Sequence, residues 1–294
     1  MKTELLQKCG LCDSSQLESL DPECNIMRCR KCRYIFDNPR PMLEELIGFY
    51  SRHDKYDSWL AELDARERVW KQRLRILEQY KKPGSLLDVG TGIGQFLAVA
   101  RNSFTEVLGT EVSTTAIQIA RERYGLNVFQ GSIEDLTRHS CLFDNITLFH
   151  VLEHVPDPRA TLKTCCSLLS SNGILVIAVP NEISSLRVLT KRLLVKVGFR
   201  TPDAVGKLGL PRITLDPSTP EVHLSHFTPP VLDTLFTNAR LSIEKRTLDP
   251  YRLGGGLRRI RSQSYYYLSL LFLRIFKVNL YDTILVIARK TAAS

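Results

Sequence analysis

Residues 86–96 read Leu-Leu-Asp-Val-Gly-Thr-Gly-Ile-Gly-Gln-Phe, and this stretch decides the fold. A short apolar run ends in a glycine-rich turn, and a helical segment follows it. Glycines at 90, 92 and 94 let the backbone turn tightly and approach a ligand closely. The spacing is G-x-G-x-G, whereas dinucleotide-binding turns typically read G-x-G-x-x-G. Asp88 precedes the first glycine, and its charge suits a cofactor with a cationic amino group better than a pyrophosphate.

Apolar runs and helical segments alternate along the chain from this turn. Strands are predicted at 85–89, 106–110, 127–130, 144–149 and 174–179, and helices at 95–102, 113–124 and 159–169. Repeated strand–helix units of this length predict an α/β fold, a doubly wound and mostly parallel sheet with helices on both faces. Two later apolar segments, 241–248 and 283–289, are expected to close the sheet as an edge pair.

The turn and the segments after it resemble motif I and the following motifs of class I S-adenosylmethionine-dependent methyltransferases, which have a Rossmann-like fold. The resemblance spans about 85–181 and includes Gly-Ser-Ile-Glu at 131–134 and Phe-His-Val-Leu-Glu-His-Val-Pro-Asp at 149–157. It implies that Glu111, at the end of the second strand, accepts hydrogen bonds from the cofactor ribose. The other positions that it implies for cofactor binding are Asp88, Gly90, Gly92, Gly94, Ser132, Ile133 and His150. The family often has Asp where Ser132 stands.

Two C-x2-C pairs near the N-terminus predict a structural zinc site. Cys9 and Cys12 form the first pair and Cys29 and Cys32 the second, with sixteen residues between the pairs. Four thiolates complete a tetrahedral zinc shell, and about forty residues build too small a core without such support. Unligated buried thiols or a redox pair are the alternatives. Cys24 has no assigned role, and the cysteines at 141, 165 and 166 are expected to be small buried hydrophobic residues.

Three segments are expected from this reading: a zinc ribbon at 1–41, a helical linker or cap at 42–82, and a methyltransferase domain at 83–294. The last carries a lid insertion at about 182–222 and a second insertion at about 250–282. A ribbon followed by a methyltransferase core also resembles bacterial methyltransferases associated with saccharide or secondary-metabolite pathways. The N-terminus has no signal-peptide core, so a cytoplasmic location is expected.

Candidate general bases are histidines on the substrate side. His154 belongs to the segment after the fourth strand, and His223 and His226 lie in a segment resembling the family's His-x-x-His-Phe motif. Each has a structural alternative, in which the imidazole only ties a loop together. His223 and His226 also have metal-ligand spacing, but no further acidic or cysteine ligand is evident nearby, so a second metal ion is not expected.

The formal net charge of +9 favours an anionic partner but does not choose among them. The leading hypothesis is a methyltransferase for a small, anionic acceptor, namely a saccharide, a lipid-linked molecule or a quinone-like molecule. Within the lid, Leu186, Leu189, Leu193 and Val197 form an apolar helical stripe beside basic residues, which is typical of a substrate cap, a membrane-surface contact or a helix packed on the core. The oligomeric state stays open.

Two rival functions remain. An RNA methyltransferase would suit the ribbon and the positive charge, but the motifs of common base methylases do not follow the fourth strand, where His-Val-Leu-Glu-His stands at 150–154. Nucleic acid is therefore a less favoured partner. A non-catalytic module that binds S-adenosylmethionine and zinc is the second rival, and the intact set of Asp88, Gly90, Gly92 and Glu111 argues against it.

Overall fold

A computed structural model describes residues 1–139, 141–199, 206–216, 219, 221–250 and 256–291, so both predicted insertions lie partly outside the described residues. The strands are β1 (Thr3–Glu4), β2 (Leu17–Asp21), β3 (Ile26–Cys29), β4 (Ile35–Asp37), β5 (Arg40–Pro41), β6 (Ser85–Val89), β7 (Glu106–Glu111), β8 (Val128–Gln130), β9 (Phe143–Phe149), β10 (Leu169–Pro180), β11 (Ser225–His226), β12 (Leu241–Thr247) and β13 (Thr283–Lys290). The α-helices are α1 (Leu43–Tyr50), α2 (Asp57–Ala61), α3 (Leu63–Glu78), α4 (Gln95–Ala100), α5 (Thr114–Tyr124), α6 (Ile133–Leu136), α7 (Pro158–Leu168), α8 (Leu186–Lys196), α9 (Pro229–Asn238) and α10 (Gly256–Phe276). Short 3-10 turns lie at Arg101–Ser103 and Thr137–His139.

The central sheet has seven strands in the order β12-β13-β10-β9-β6-β7-β8. The five strands from β10 to β8 are parallel to one another, and β13 runs antiparallel between β10 and β12. The prediction of a doubly wound, mostly parallel sheet is confirmed. The two last strands do form the antiparallel end of the sheet, with β12 at the edge.

Both faces of this sheet are buried, and consecutive residues of one strand enter different cores. Leu87 and Val89 pack into the core on one face, while Leu86 packs into the core on the other. In β10, Ile177 packs into the first of these cores and Val176 into the second. This period of two, in strands that are apolar throughout, is what helices on both faces require. Burial of both faces of the sheet thus explains the strong apolar runs in the sequence.

The N-terminal cysteine segment forms its own antiparallel sheet, but it is not built from that segment alone. Its strand order is β11-β4-β3-β2, so two residues from far along the chain, Ser225 and His226, complete the sheet. Tyr34 and Phe36 of this segment also belong to the core on one face of the central sheet. The ribbon is thus continuous with the larger unit in both backbone pairing and packing.

Three helices, α1, α2 and α3, lie within the segment 42–82 for which the sequence predicts a helical linker or cap. Leu74 and Leu77 of α3 are buried against the central sheet. The helix also buries two arginines, Arg66 and Arg73, which the sequence pattern places among solvent-facing charges. Their burial indicates partners on other elements.

Candidate active site

A cavity of about 1300 Å³ opens beyond the carboxyl ends of β6, β7 and β9. This edge is where the strand order reverses around β6, and open α/β sheets bind ligands at such a crevice. One wall carries the glycine-rich turn, and helices α1, α2 and α3 cover it. The lid and α10 border another part of the wall, through Leu186, Arg187, Arg261 and Tyr265.

The glycine-rich turn adopts a backbone that residues with side chains seldom reach. Gly90 and Gly92 have φ angles of 64° and 57°, and both line the cavity. A Cβ atom on Gly90 would lie 2.7 Å from Val151 Cγ2, and one on Gly92 would lie 3.0 Å from Trp59 Cζ3. The turn can therefore pack this closely against Val151 and Trp59 only because these positions are glycine.

Glu111 fixes the shape of this turn as well as lining the cavity. Its Oε2 accepts a hydrogen bond from the Gly92 amide at 2.8 Å, and its Oε1 accepts from the Val112 and Ser113 amides at 2.8 and 2.9 Å. The carboxylate is 8% exposed, and burial raises its pKa. Remaining lone pairs of a carboxylate held in this way are suited to accept hydrogen bonds from ligand hydroxyls.

Asp88 and Gly94 lie outside the cavity wall. Asp88 is buried under the turn, where its Oδ1 accepts a hydrogen bond from Thr147 Oγ1 at 2.6 Å, and burial raises its pKa to about 7. Gly94 is the N-cap of α4 and has a φ of 77°, and a Cβ there would meet Leu126 Cδ1 at 2.6 Å. Both residues support the turn from beneath the cavity, and their predicted contact with a cofactor stays a prediction.

The predicted adenine segment borders the cavity through Gly131, Ser132 and Ile133. Ser132 caps α6: its hydroxyl accepts from the Asp135 amide, and Asp135 Oδ2 accepts from the Ser132 amide at 3.0 Å. The Ser132 side chain is thus engaged in this capping box, while Ile133 is buried and presents an apolar surface to the cavity. This part of the wall is therefore suited to apolar contact with an aromatic ring of a ligand.

His150 borders the cavity within a buried ionic network that the sequence did not predict. Its Nε2 lies 3.0 Å from Asp249 Oδ2, and its Nδ1 lies 3.3 Å from Glu153 Oε1. Arg73 meets Asp249 through two bonds of 2.8 and 2.5 Å. Although burial lowers it, the hydrogen bond with Asp249 and the contact with Glu153 raise the pKa of His150 to about 9. The imidazolium form fits a ring between two carboxylates.

Aromatic side chains of the helical cap close the cavity over the glycine-rich turn. Trp59 lies against Gly92, and the Arg66 guanidinium stacks on its ring at 3.7 Å from the centroid. Tyr56 and Trp70 line the same wall. The sequence predicts a helical linker or cap here but does not assign these residues to a ligand site, because aromatic residues on a helix read equally well as core.

Among the three candidate bases, His154 is the one that lines the cavity. Its Nδ1 lies 2.6 Å from the Val222 carbonyl oxygen, which accepts the proton, and 3.0 Å from the Tyr50 hydroxyl. The Nε2 atom therefore carries the free lone pair of the neutral ring. Burial lowers the pKa of His154, which favours that neutral form.

His223 and His226 are joined by one carboxylate, and His226 is not on the cavity wall. Glu182 accepts from His223 Nδ1 at 2.8 Å and from His226 Nδ1 at 2.7 Å, and His226 Nε2 donates to Asp37 at 2.9 Å. Although burial lowers it, Asp37 and Glu182 raise the pKa of His226 to about 9. Both nitrogens of His226 are occupied, so its place in the structure is that of a positioning residue. The His223 ring packs on His154, with centroids 4.9 Å apart.

The four predicted zinc ligands come together. The sulfur atoms of Cys9, Cys12, Cys29 and Cys32 all lie within 4.8 Å of one another, with two pairs at 3.5 Å. Zn–S bonds of about 2.3 Å in a tetrahedron place the sulfurs about 3.8 Å apart, so the four thiols fit this ion. Cys24 is separate: it is buried, and its thiol points to the Leu210 carbonyl oxygen at 3.5 Å.

Curated relatives match the central part of the chain. A ubiquinone biosynthesis O-methyltransferase of Actinobacillus pleuropneumoniae serotype 5b (strain L20) is 33% identical over 123 residues, which is 38% of this chain and 50% of that protein. One of the same name from Coxiella burnetii (strain Dugway 5J108-111) is 33% identical over 117 residues, 37% of this chain and 50% of that protein. The chain thus spans about half the length of the curated relatives it matches.

Solved structures share the fold. A putative S-adenosylmethionine-dependent methyltransferase from Listeria monocytogenes superposes with a TM-score of 0.52 at 16% identity, covering 76% of this chain and 99% of that one. An S-adenosylmethionine-dependent methyltransferase from Clostridium acetobutylicum gives a TM-score of 0.50 at 11% identity, covering 82% of this chain and 96% of that one.

A family model described as a methyltransferase domain matches residues 61–243, well over half of the chain. This chain therefore belongs to the methyltransferase-domain family.

Proposed function

We propose that this protein transfers the methyl group of S-adenosylmethionine to an oxygen of an apolar, quinone-like or lipid-linked small molecule. The observation that carries the proposal is the single cavity that joins the glycine-rich turn and Glu111 to His154 and the lid. Its volume of about 1300 Å³ is above the usual range for one drug-sized ligand, so it has room for a cofactor and an acceptor together.

The cofactor side of this proposal rests on the wall around the turn. Glu111 would hold the ribose hydroxyls, Gly90 and Gly92 would allow close backbone approach, and Ile133 would contact the adenine. Trp59 would cover the bound cofactor from the helical cap. When bound, S-adenosylmethionine supplies an electrophilic methyl group on a sulfonium. The chain's own residues then have to orient an acceptor oxygen behind that group and remove its proton.

The acceptor side rests on His154 and Glu221, which also line the cavity. The neutral imidazole of His154 presents Nε2, so an acceptor hydroxyl placed there would find a group able to take up its hydrogen. The curated relatives named above act, by their names, in ubiquinone biosynthesis as O-methyltransferases. Their likeness over part of the chain favours an aromatic hydroxyl over a saccharide hydroxyl.

The lid and α10 favour an acceptor with a long apolar part. No residue of α8 is buried, and its leucines at 186, 189 and 193 are exposed. In α10, Leu268 and Leu271 are exposed as well. Neither helix contains an Asp or Glu, and both carry basic residues. Two exposed, apolar and basic helices beside a cavity suit contact with an anionic lipid surface. In the part of the chain that the structure describes, no helix has the length and apolarity needed to cross a membrane.

Calorimetric titration of zinc-loaded protein with S-adenosylmethionine tests the cofactor side. We expect binding in the wild type, a loss of at least about tenfold in Glu111→Ala, and unchanged binding in Glu122→Ala, a surface carboxylate on α5. Gly92→Ala is a second variant, because its added Cβ would fill space beside Trp59 without removing a charge. Circular dichroism confirms that each variant is folded. Absence of binding to the folded wild type would refute the proposal and favour a non-catalytic module.

Mass spectrometry of reaction mixtures tests the acceptor. We expect one added methyl group on a hydroxylated quinone or catechol with a prenyl chain, and none on nucleotide sugars or RNA. Methylated RNA with salt-dependent binding would instead support the RNA alternative. Methylation of a nucleotide sugar would keep the methyltransferase assignment and overturn the quinone-like acceptor.

A further inference from the structure

Glu153 is a buried carboxylate without a hydrogen-bond donor. Its side chain is 0% exposed, and neither Oε1 nor Oε2 accepts a hydrogen bond from any residue within the described ranges. Burying a carboxylate is costly unless a charge or donors compensate it. His150 Nδ1 lies 3.3 Å from Oε1 and supplies part of that compensation. The Oε2 atom has no hydrogen-bond partner among the residues that the structure describes.

Two histidines lie beside this carboxylate, each with one ring nitrogen that makes no hydrogen bond to the described residues. His154 donates from Nδ1 to the Val222 carbonyl, which leaves Nε2 at 3.9 Å from Glu153 Oε1. His223 donates from Nδ1 to Glu182, and its buried Nε2 has no hydrogen-bond partner in the described structure. A ring whose one nitrogen donates to a carbonyl or carboxylate, with the other nitrogen free, has the tautomer and orientation typical of a metal ligand.

We infer that Glu153, His154 and His223 bind a divalent transition-metal cation such as Zn²⁺ or Mn²⁺. One ligand atom from each residue lies within 4.8 Å of the other two. A carboxylate with two imidazoles is a donor set that such ions prefer, and three protein ligands leave a position open for water or substrate. Glu221 lines the cavity next to this site, with its Oε2 3.6 Å from His223 Nε2.

This site is not evident from the sequence, because the spacing of ligand-type residues there points to a different pair. His223 and His226 have ligand spacing, but the structure turns both nitrogens of His226 to carboxylates and pairs His223 with His154 instead. The acidic ligand comes from Glu153, seventy positions before His223. Backbone hydrogen bonds from the Leu224 and Ser225 amides to the Glu153 carbonyl, at 2.8 and 3.2 Å, hold the two segments side by side.

A cation at this position would face the acceptor, because His154 lines the cavity. It would coordinate the acceptor oxygen, lower the pKa of that hydroxyl and leave the released proton to water in the cavity. In that state His154 Nε2 is a ligand, so the cation, and not the imidazole, promotes loss of the proton. This role rests on the proposed function, whereas binding of the cation does not.

Metal stoichiometry of the full chain tests the inference without cofactor or acceptor. The protein is loaded with Zn²⁺ or Co²⁺, dialysed and measured by elemental analysis and absorption spectroscopy. We expect two ions in the wild type. The absorption spectrum distinguishes the two sites, because cobalt on four thiolates gives intense charge-transfer bands and cobalt on nitrogen and oxygen ligands does not. Glu153→Gln and His223→Gln should each retain only the ion on the four cysteines. His53→Gln, an exposed histidine of the cap, should retain both.

Glu182→Gln provides a variant that keeps all three ligands. Loss of a residue that orients a metal-bound histidine weakens metal binding about 10–100-fold. We therefore expect Glu182→Gln to bind the second ion with an affinity lowered by that factor. A single ion in the wild type, or a second ion that persists in both ligand variants, would overturn the inference. If the wild type holds only the ion on the four cysteines and still transfers methyl groups, the inference fails and the proposed function stands; if the second ion binds but S-adenosylmethionine does not, the reverse holds.

Discussion

The buried His226 predicts a stability that depends on pH in a defined direction. Both of its ring nitrogens lie within 2.9 Å of carboxylate oxygens, on Asp37 and Glu182, so both must donate and the ring is an imidazolium. Its pKa is raised from 6.5 to about 9 in the folded protein. A raised folded-state pKa contributes stability that is complete below the unfolded-state value. That contribution is lost as the pH rises through the folded-state value.

The magnitude follows from the size of the shift. A change from 6.5 to about 9 corresponds to roughly 3 kcal/mol of unfolding free energy at low pH, at about 1.4 kcal/mol per unit. Near pH ~7 most of this contribution is present, and near pH ~10 almost none remains. Gln at position 226 keeps polar contacts but cannot carry the charge. The stability difference between wild type and His226→Gln should therefore shrink by roughly 2–3 kcal/mol between these two pH values.

Urea unfolding of the zinc-saturated proteins at both pH values measures this difference. Titration of other groups, cysteines included, contributes to both proteins and cancels in the comparison. His53→Gln is the matched control, because the same substitution at an exposed site should leave stability within about 0.5 kcal/mol of wild type throughout. A gap between wild type and His226→Gln that is equal at the two pH values would refute the reasoning, since it would mean that His226 is uncharged in the fold.

Three further predictions follow from other parts of the structure. Asp249→Asn leaves Arg73 buried beside a neutral group and should lower the free energy of unfolding, measured in urea, by about 3–5 kcal/mol. Asp233→Asn, which removes an exposed ion pair, should lower it by at most about 1 kcal/mol. Similar losses in the two variants would contradict the distinction between buried and exposed pairs. Cys29→Ser or treatment with a chelator should lower the Tm measured by calorimetry, and Cys141→Ser should not, because Cys29 belongs to the four-sulfur cluster; coincident melting curves for Cys29→Ser and wild type would argue against a structural zinc ion. The double change Leu189→Glu and Leu193→Glu should abolish sedimentation with vesicles of anionic lipid while leaving S-adenosylmethionine binding intact, and unchanged sedimentation would exclude α8 as the membrane contact.

The central sheet could be predicted from sequence because its strands are buried on both faces. A strand in that position is apolar at every residue, as in the run 174–179, and such runs separated by helical segments admit few topologies. The glycine-rich turn is recognisable for a related reason, since positive φ angles at Gly90 and Gly92 strongly favour glycine. These features are local, and each leaves its own mark on the sequence.

The parts of the site that sequence did not reveal depend on pairs that are distant along the chain. Arg73 lies on a helix in which half of the residues are charged, and its partner, 176 positions later at Asp249, distinguishes it from a solvent-facing charge. The strand Ser225–His226 is too short for any periodic signal, so its addition to the cysteine sheet was not expected. Glu153 likewise reads as a loop residue until the segment 222–226 packs beside it.

These long-range pairs join the cysteine cluster to the acceptor side of the cavity. Asp37, which follows the two C-x2-C pairs, accepts a hydrogen bond from His226 at 2.9 Å. Glu182 accepts one from His226 at 2.7 Å and another from His223 at 2.8 Å. Each member of this row restricts the next, because a buried polar group that loses its partner must find another or be destabilised. Loss of the ribbon fold would release Asp37 and, through the row, the orientation of His223. A zinc ion on the four cysteines would thus stabilise more than a terminal module: it would help to set the histidine that faces His154 across the site.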